Sequence, residues 1–137
     1  MSTLKVKDYM TKDVITVRED RDLTDAVAIL NRGSFRHLPV VNDKDHAIGI
    51  ISDRDLRNLQ TAMAFIEEAV EGLKSEIKLA DVMTSDVTTV SPEMSLKEAA
   101  ALIIQKKYGA LPVEENSRII GILSYTDILR AFIETSP

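Results

Sequence analysis

The sequence predicts a mixed α/β (α+β) fold of two similar units, each ordered strand, helix, strand, strand, helix, packed about a pseudo-twofold axis. Two observations predict it: a motif pattern that occurs twice, and short β-branched stretches that alternate with helical apolar patterns. A single unit would expose an apolar sheet face that it cannot cover, so the two copies are expected to pack together. The predicted organisation is a first unit over residues 1–58, a helical linker over 59–78 and a second unit over 79–137.

The repeat is defined by three landmarks that keep their order along the chain. The motif D-x-M-T-x-D-V-x-T-V begins at Asp8 and again 73 positions later at Asp81. L-P-V and then G-h-h-S, where h is apolar, follow in both copies: 38–40 and 49–52 in the first, 111–113 and 121–124 in the second. Because the landmarks agree throughout, the two halves are expected to share one fold.

The elements of each unit are predicted from local patterns. A short helical turn ends at Met10 or Met83, and a β-branched strand follows at 14–17 or 87–90. In the first copy the other predicted elements are a helix from Asp22, strands at 37–41 and 47–51, and a second helix from Ser52. In the second copy, helices are predicted from Ser95 and from Ser124. Apolar residues at helical spacing predict one buried face for the first helix of each copy: Leu23, Ala26, Val27 and Leu30, and Leu96, Ala99, Ala100 and Ile103.

Composition excludes several classes of function. The formal net charge of −5 and the scattered Lys and Arg residues argue against nucleic-acid binding, and only 4% of residues are aromatic. The chain has no cysteine, starts without the apolar stretch of a secretory signal, and has no apolar run long enough to span a membrane. We therefore expect a cytoplasmic protein without a nucleic-acid or membrane partner.

Catalytic groups are scarce in the sequence. Only His37 and His46 could act as bases near neutral pH, and His46 lies in a polar turn without a counterpart in the repeat. No cluster of side chains has metal-ligand spacing, and no Walker-type phosphate loop is present. We therefore expect neither an enzyme nor a metal site.

The motifs of the two copies resemble those of a known protein family. The tandem units, each with L-P-V followed by G-h-h-S-x-x-D, resemble a pair of cystathionine-β-synthase (CBS) domains, or Bateman module, and are similar to stand-alone bacterial members including the AcuB-like group. The match runs from about Leu4 to Phe132, which leaves no room for a catalytic or DNA-binding domain. It implies a regulatory module that requires no cofactor and binds AMP, ADP, ATP or S-adenosylmethionine in clefts between the units. It also implies a homodimer, with a regulated enzyme or transporter as a candidate partner.

The S-x-x-D motif places Ser52 and Asp55, and likewise Ser124 and Asp127, at the start of a helix. Unpaired backbone amides and the helix dipole favour an anion at such a position. The resemblance implies that the two aspartates accept hydrogen bonds from ribose hydroxyls, and that Ser52, Ser124 and Thr126 lie on the phosphate side.

An alternative interpretation is that S-x-x-D is only an ordinary capping box. Gly49 and Gly121, three residues before each serine, favour the ligand site because capping does not require them and they would allow close ligand approach.

The apolar walls of an adenine site are expected from the segments that enter the first strands, residues 13–15 and 86–88. The resemblance pairs each segment with the aspartate of the other unit. The expected sets are Asp127 with Val14 and Ile15, and Asp55 with Val87 and Thr88, while Pro39 and Pro112 of L-P-V are further candidates for ligand contact.

The two clefts are expected to differ, because Arg36-His37 precedes the first L-P-V and Gly109-Ala110 precedes the second. A cation there could pair with phosphate oxygens, and His37 could make the pairing depend on pH; the alternative for His37 is a partly exposed residue at a strand end. Arg54 could also reach phosphates, although the neighbouring Asp53 would oppose a polyphosphate.

Two functional hypotheses remain. The first is a sensor whose adenosine ligand shifts the balance between two conformations. The second is a ligand-free protein-protein interaction or dimerisation module.

Overall fold

The computed structural model of the protein describes residues 3–32, 36–54, 57, 78–85 and 87–136. The helices are α1 (Val6–Tyr9), α2 (Leu23–Arg32), α3 (Leu79–Val82), α4 (Leu96–Lys106) and α5 (Tyr125–Thr135). The strands are β1 (Val17–Arg18), β2 (His37–Val41), β3 (Ala47–Ser52), β4 (Ala110–Glu115) and β5 (Arg118–Ser124). The mixed helix and strand content agrees with the predicted α+β class.

The chain forms two compact units. One unit, here called the terminal unit, combines Met1–Val14 with Val87–Pro137, and the other, the central unit, is Ile15–Asp86. The opening helix of each sequence repeat therefore belongs to the compact unit that holds the body of the other repeat. The boundaries 1–58, 59–78 and 79–137 remain a prediction, and of the predicted linker only Lys78 lies within the described residues.

The central unit contains a three-stranded sheet in the order β1-β2-β3. β1 is parallel to β2, and β2 is antiparallel to β3 with Leu38 opposite Ile51. The predicted apolar face of α2 packs on this sheet, since Leu23, Ala26 and Leu30 are all buried in the same cluster as Leu38. Each large apolar side chain removed from water in this way contributes about 1.5–3 kcal/mol to stability.

The terminal unit repeats this arrangement around the antiparallel pair β4-β5, in which Leu111 lies opposite Leu123. Leu96, on α4, is fully buried in its core, and so is Val6 of α1. The backbone of the α1 segment is tied in at the same place, because Leu4 O accepts a 2.9 Å hydrogen bond from the N–H of Leu96.

The strands predicted at 14–17 and 87–90 are much shorter in the structure, and the proline of L-P-V explains why. In the terminal unit the N–H of Val90 donates to Pro112 O (3.0 Å), and Val90 O accepts from Glu114 N (2.9 Å). The next bond of the parallel ladder would run from the nitrogen of Pro112 to Thr88 O, and proline has no N–H to donate. Pro39 holds the matching place opposite β1, so pairing begins only at Val17.

The two glycines of G-h-h-S lie where another chain segment passes very close. Thr11 and Ile122 exchange two backbone hydrogen bonds of 2.9 and 3.0 Å, and Thr84 and Ile50 do the same in the central unit. A Cβ placed on Gly121 would lie 2.8 Å from Thr11 O and 2.9 Å from Met10 Sδ. The shared M-T and G-h-h-S motifs thus pair with each other in each unit. The close approach that these glycines allow is to the protein's own backbone and methionines, and not to a ligand.

Replacing Gly121 by Ala is expected to lower the free energy of unfolding by about 1–3 kcal/mol, because the nearest atom is a backbone oxygen that cannot swing aside. Gly49→Ala should cost less, since its nearest neighbour is the thioether of Met83, the end of a flexible side chain. Urea denaturation would measure both, with Arg118→Ala at the exposed start of β5 as the control. A Gly121→Ala protein as stable as the control would contradict this account.

Glu93 provides a second test, of the contacts that join α1 to the rest of the terminal unit. Its carboxylate binds Lys5 Nζ at 2.7 Å and Lys7 Nζ at 2.9 Å. The hydrogen bond from Lys5, followed by that from Lys7, lowers the pKa of Glu93 from 4.5 to about 2. A lowered carboxyl pKa stabilises the fold above the unfolded-state value, and this contribution is lost as pH falls from about 4.5 towards about 2.

We expect Lys5→Ala to raise the pKa of Glu93 in a carbon-detected NMR titration of its carboxylate. Added salt should also raise it, because the pair is exposed to solvent. Lys97→Ala, on the exposed face of α4, serves as the control and should leave that titration unchanged. An unaltered Glu93 pKa in Lys5→Ala would contradict the assignment.

Candidate functional site

The start of α5 carries three of the predicted site residues, Ser124, Thr126 and Asp127. The N–H of Ser124 donates to Asp127 Oδ2 (2.9 Å), and Ser124 Oγ accepts from Asp127 N (3.3 Å). Ser124 Oγ and Thr126 Oγ1 share a hydrogen bond of 2.8 Å, and Thr126 is exposed. The helix start therefore is a capping box, with a pair of hydroxyl groups beside it.

The other carboxylate oxygen of Asp127 faces a cation. Asp127 Oδ1 lies 3.4 Å from Arg130 Nη2, and the Asp127 side chain is only 8% exposed. A carboxylate offers about four acceptor sites, and the box and Arg130 each use one. The cap and Arg130 therefore leave acceptor capacity on this largely buried carboxylate.

Arg130 also links α5 to α1. Its Nη2 donates to Tyr9 O (3.0 Å), its guanidinium lies 5.5 Å from the centre of the Tyr9 ring, and the Tyr9 hydroxyl donates to Glu134 Oε2 (2.6 Å). The hydrogen bond to Glu134 raises the pKa of Tyr9. Sequence reasoning missed this network: the i,i+3 spacing of Asp127 and Arg130 could have indicated their pairing, whereas no local signal indicates Tyr9.

The first amide of each helix start is already paired. The N–H of Tyr125 donates to Gly109 O (3.1 Å), and in the central unit the N–H of Asp53 donates to Arg36 O (2.8 Å). The predicted role of free amides at these helix starts is thus reduced. At α5 the hydroxyls of Ser124 and Thr126 lie beside the capping box, and Thr126 is exposed.

The strand registers bring the residues before L-P-V next to the helix starts. His37 lies opposite Ser52 in the β2-β3 pair, and Ala110 lies opposite Ser124 in the β4-β5 pair. His37 is half-buried and Arg36 is exposed. The basic residues of the first copy are therefore at the predicted end of the strand, and the second copy has none there.

In the first copy the structure describes Ser52, Asp53, Arg54 and Arg57, while Asp55 lies outside the described residues. Arg54 is exposed, and Arg57 Nη1 lies 3.3 Å from Asp53 Oδ2. Because Arg57 partly neutralises Asp53, the repulsion that Asp53 was expected to exert on a phosphate is weaker than its charge alone suggests.

The candidates for an adenine wall fall into both units. Val14, Val87 and Thr88 are half-buried residues of the terminal unit, whereas Ile15 is an exposed residue of the central unit. Their pairing with Asp127 and Asp55 stays a prediction. Pro39 and Pro112 are buried in β2 and β4, where they end the parallel ladders.

Metal-ligand clusters and membrane-spanning helices are both absent from the described residues. No group of three or more His, Asp or Glu side chains in them could hold a metal ion. None of the helices in this part of the chain has the length and apolar character needed to cross a membrane.

Two relatives are similar to this chain over more than nine-tenths of its length. Protein MJ1426 of Methanocaldococcus jannaschii is 30% identical, over 93% of this chain and 90% of its own length. The chain spans only 23% of another relative from that organism, an inosine-5'-monophosphate dehydrogenase to which it is 33% identical.

Three solved structures share the fold. CBSX2 in complex with AMP has a TM-score of 0.75 and 28% identity, covering 96% of this chain and 97% of that one. The CBS domain pair of MJ0100, in complex with 5-methylthioadenosine and S-adenosyl-L-methionine, has a TM-score of 0.79 and 25% identity, covering 96% and 98%. A putative acetoin utilization protein (AcuB) from Vibrio cholerae has a TM-score of 0.74 and 31% identity, covering 98% of both chains.

The family model for the CBS domain matches twice, at residues 6–61 and 79–134. These two stretches contain both copies of L-P-V and of G-h-h-S-x-x-D. The resemblance drawn from those motifs is confirmed: the chain belongs to the CBS-domain family, as a tandem pair of CBS domains.

Proposed function

We propose that this CBS pair is a regulatory module, without catalytic activity of its own, that binds an adenosine-containing ligand. The observation that carries the proposal is the start of α5, where a capping carboxylate with spare acceptor capacity lies beside two hydroxyls. Similar CBS pairs in complex with AMP and with S-adenosyl-L-methionine support this class of ligand.

Each part of the ligand has a chemical partner in the proposal. The unused acceptor sites of Asp127 receive ribose hydroxyls, and the hydroxyls of Ser124 and Thr126 donate to a phosphate or another anionic group. For the ligand of Asp127, Ile15 O, which lacks the ladder bond that a non-proline residue would donate, accepts from the adenine amino group, and Val14 supplies apolar contact with the ring. Thr88 O and Val87 have these two roles for the ligand of Asp55.

The corresponding site of the first copy uses Ser52 and Asp55, with basic side chains from Arg36, His37 and Arg54. Because guanidinium groups bind phosphate strongly, this site favours more phosphates than the site at α5. Ligand binding then shifts the population of two conformations by its differential affinity for them.

A second candidate function is a ligand-free interaction or dimerisation module. The observation in its favour is the outer face of α5, where Leu129, Phe132 and Ile133 are 53%, 61% and 72% exposed. A homodimer, or an enzyme or transporter under regulation, would cover such a face. In both proposals the protein is cytoplasmic.

A thermal-shift series with AMP, ADP, ATP, NAD and S-adenosylmethionine separates the two functions. A ligand at about a hundred times its dissociation constant adds about 2.7 kcal/mol of stability, which is visible as a shift of several degrees. We expect a shift with at least one adenosine compound and none with inosine at the same concentration. No shift with any of them would favour the ligand-free module.

Two serine caps provide a matched pair for testing the site. Ser124 caps α5, and Ser95 caps α4 by accepting from Glu98 N at 3.1 Å. Ser124→Ala and Ser95→Ala should each cost about 1 kcal/mol of stability, because each removes one helix cap. Only Ser124→Ala should also weaken AMP binding in calorimetry, by about tenfold for the loss of one hydrogen bond to a charged group.

Thr126→Val and Asp127→Asn extend this test. Thr126→Val removes an exposed hydroxyl without removing the cap, so AMP affinity should fall while stability stays the same. Asp127→Asn keeps an acceptor oxygen for the cap but loses the charge that ribose hydroxyls meet. Unchanged AMP affinity in all three α5 variants would mean that the start of α5 is a structural cap only.

A further inference from the structure

The central unit contains a groove whose residues belong to neither proposed adenosine site. It lies between β1 and one face of α2, and its cavity volume is about 340 Å³. Its charged lining residues are Arg18, Arg21, Asp25 and Arg32, and this cavity is called the arginine groove below. Sites for small molecules generally have volumes of roughly 300–1,000 Å³, so the groove is large enough for a small ligand.

Helical spacing explains why the charges converge. Asp25, Ala28, Ile29 and Arg32 of α2 are separated by steps of three and four residues, which places these four on one side of the helix. Arg21 lies in the turn before α2, two residues ahead of Leu23. Arg18 joins them from β1, the edge strand of the sheet. Three arginine residues and one aspartate therefore line the same cavity.

In the described part of the chain, the arginines of the groove form few close ion pairs. Arg18 Nε lies 3.8 Å from Asp20 Oδ1, and both side chains are largely exposed, so this pair contributes little. Among the described residues, the guanidinium groups of Arg21 and Arg32 form no ion pair. In a chain whose net charge is −5, the lining of this groove has three arginines against one aspartate, while Glu19, Asp20 and Asp22 of the same segment add negative charge beside it.

The second repeat shows that the fold does not need these arginines. Five groove positions keep their chemical type 73 residues later: Thr16 as Thr89, Val17 as Val90, Asp25 as Glu98, Ala28 as Ala101 and Ile29 as Leu102. The three arginine positions do not, because they are Ser91, Met94 and Gln105 in the second repeat. Met94 packs against the core of the terminal unit, so an apolar residue satisfies that position structurally.

We propose that the arginine groove is a second binding site, separate from the adenosine site, for a small phosphorylated molecule. The guanidinium forks of Arg18, Arg21 and Arg32 bind the phosphate oxygens, for which their planar geometry is suited. Asp25 accepts a hydrogen bond from a hydroxyl of the ligand. Apolar side chains at Val17, Ala28 and Ile29 contact its carbon skeleton.

Inorganic pyrophosphate is the probe for the test, because it presents the phosphate chemistry without adenosine. We expect saturable shifts of the Nε–Hε resonances of Arg21 and Arg32 in NMR spectra. The double variant Arg21→Gln/Arg32→Gln should weaken pyrophosphate binding by at least about tenfold, since each lost guanidinium removes charge-assisted hydrogen bonds. Both positions are exposed, so the fold should persist.

A charge-matched control separates a specific site from general attraction. Lys106→Gln/Arg118→Gln removes the same charge at exposed positions outside the groove and should leave pyrophosphate affinity unchanged. An equal loss in both double variants would overturn the proposal, as would the absence of saturable shifts at Arg21 and Arg32.

The adenosine site is tested separately with adenosine-containing ligand and the same proteins. Arg21→Gln/Arg32→Gln should bind S-adenosylmethionine, which carries no phosphate, as the unchanged protein does. Thr126→Val, which changes the proposed phosphate side of the adenosine site, should leave the pyrophosphate shifts at Arg21 and Arg32 intact. If pyrophosphate binding depended on Thr126 and not on the two arginines, the groove would not be its site, whatever the outcome for adenosine ligands.

Discussion

The structure depends on the backbone pairing between the M-T segment of one repeat and the G-h-h-S strand of the other. Thr11 with Ile122, and Thr84 with Ile50, each form two short hydrogen bonds. These bonds tie α1 into the terminal unit and α3 into the central unit, where Val6 and Leu79 are fully buried. Because each compact unit needs the opening helix of the other repeat, neither repeat contains a complete core by itself.

The backbone arrangement around this pairing explains why several motif positions are glycine or proline. Glycine is needed at positions 49 and 121 because a Cβ there would collide with the passing segment. Proline at 39 and 112 removes the next donor of the parallel ladder, so the first strand of each copy is short and the segment before it is released from the sheet. The glycines and prolines of the family motifs therefore act on the backbone: the glycines allow close pairing and the prolines end the parallel ladder. The position of the candidate site follows from this backbone arrangement.

At the candidate site, stability and ligand binding use the same atoms. Asp127 caps α5 through one oxygen and meets Arg130 through the other, yet a carboxylate retains further acceptor sites. The capping-box interpretation and the ligand-site interpretation of S-x-x-D are therefore compatible at this position. The arginine groove is different, because its three cations have no structural counterpart in the second repeat.

The sequence by itself determined the repeat, the α+β class, the helix starts and the apolar faces of α2 and α4, because these follow from local spacing and capping chemistry. It also identified Ser124, Thr126 and Asp127 as one polar group, since they lie within a single helical turn. Only the tertiary structure decided which segment fills the space beside each glycine, and that Arg130 joins Asp127 to Tyr9. These contacts join residues more than a hundred positions apart, or pair backbone atoms, and neither leaves a periodic pattern in the sequence.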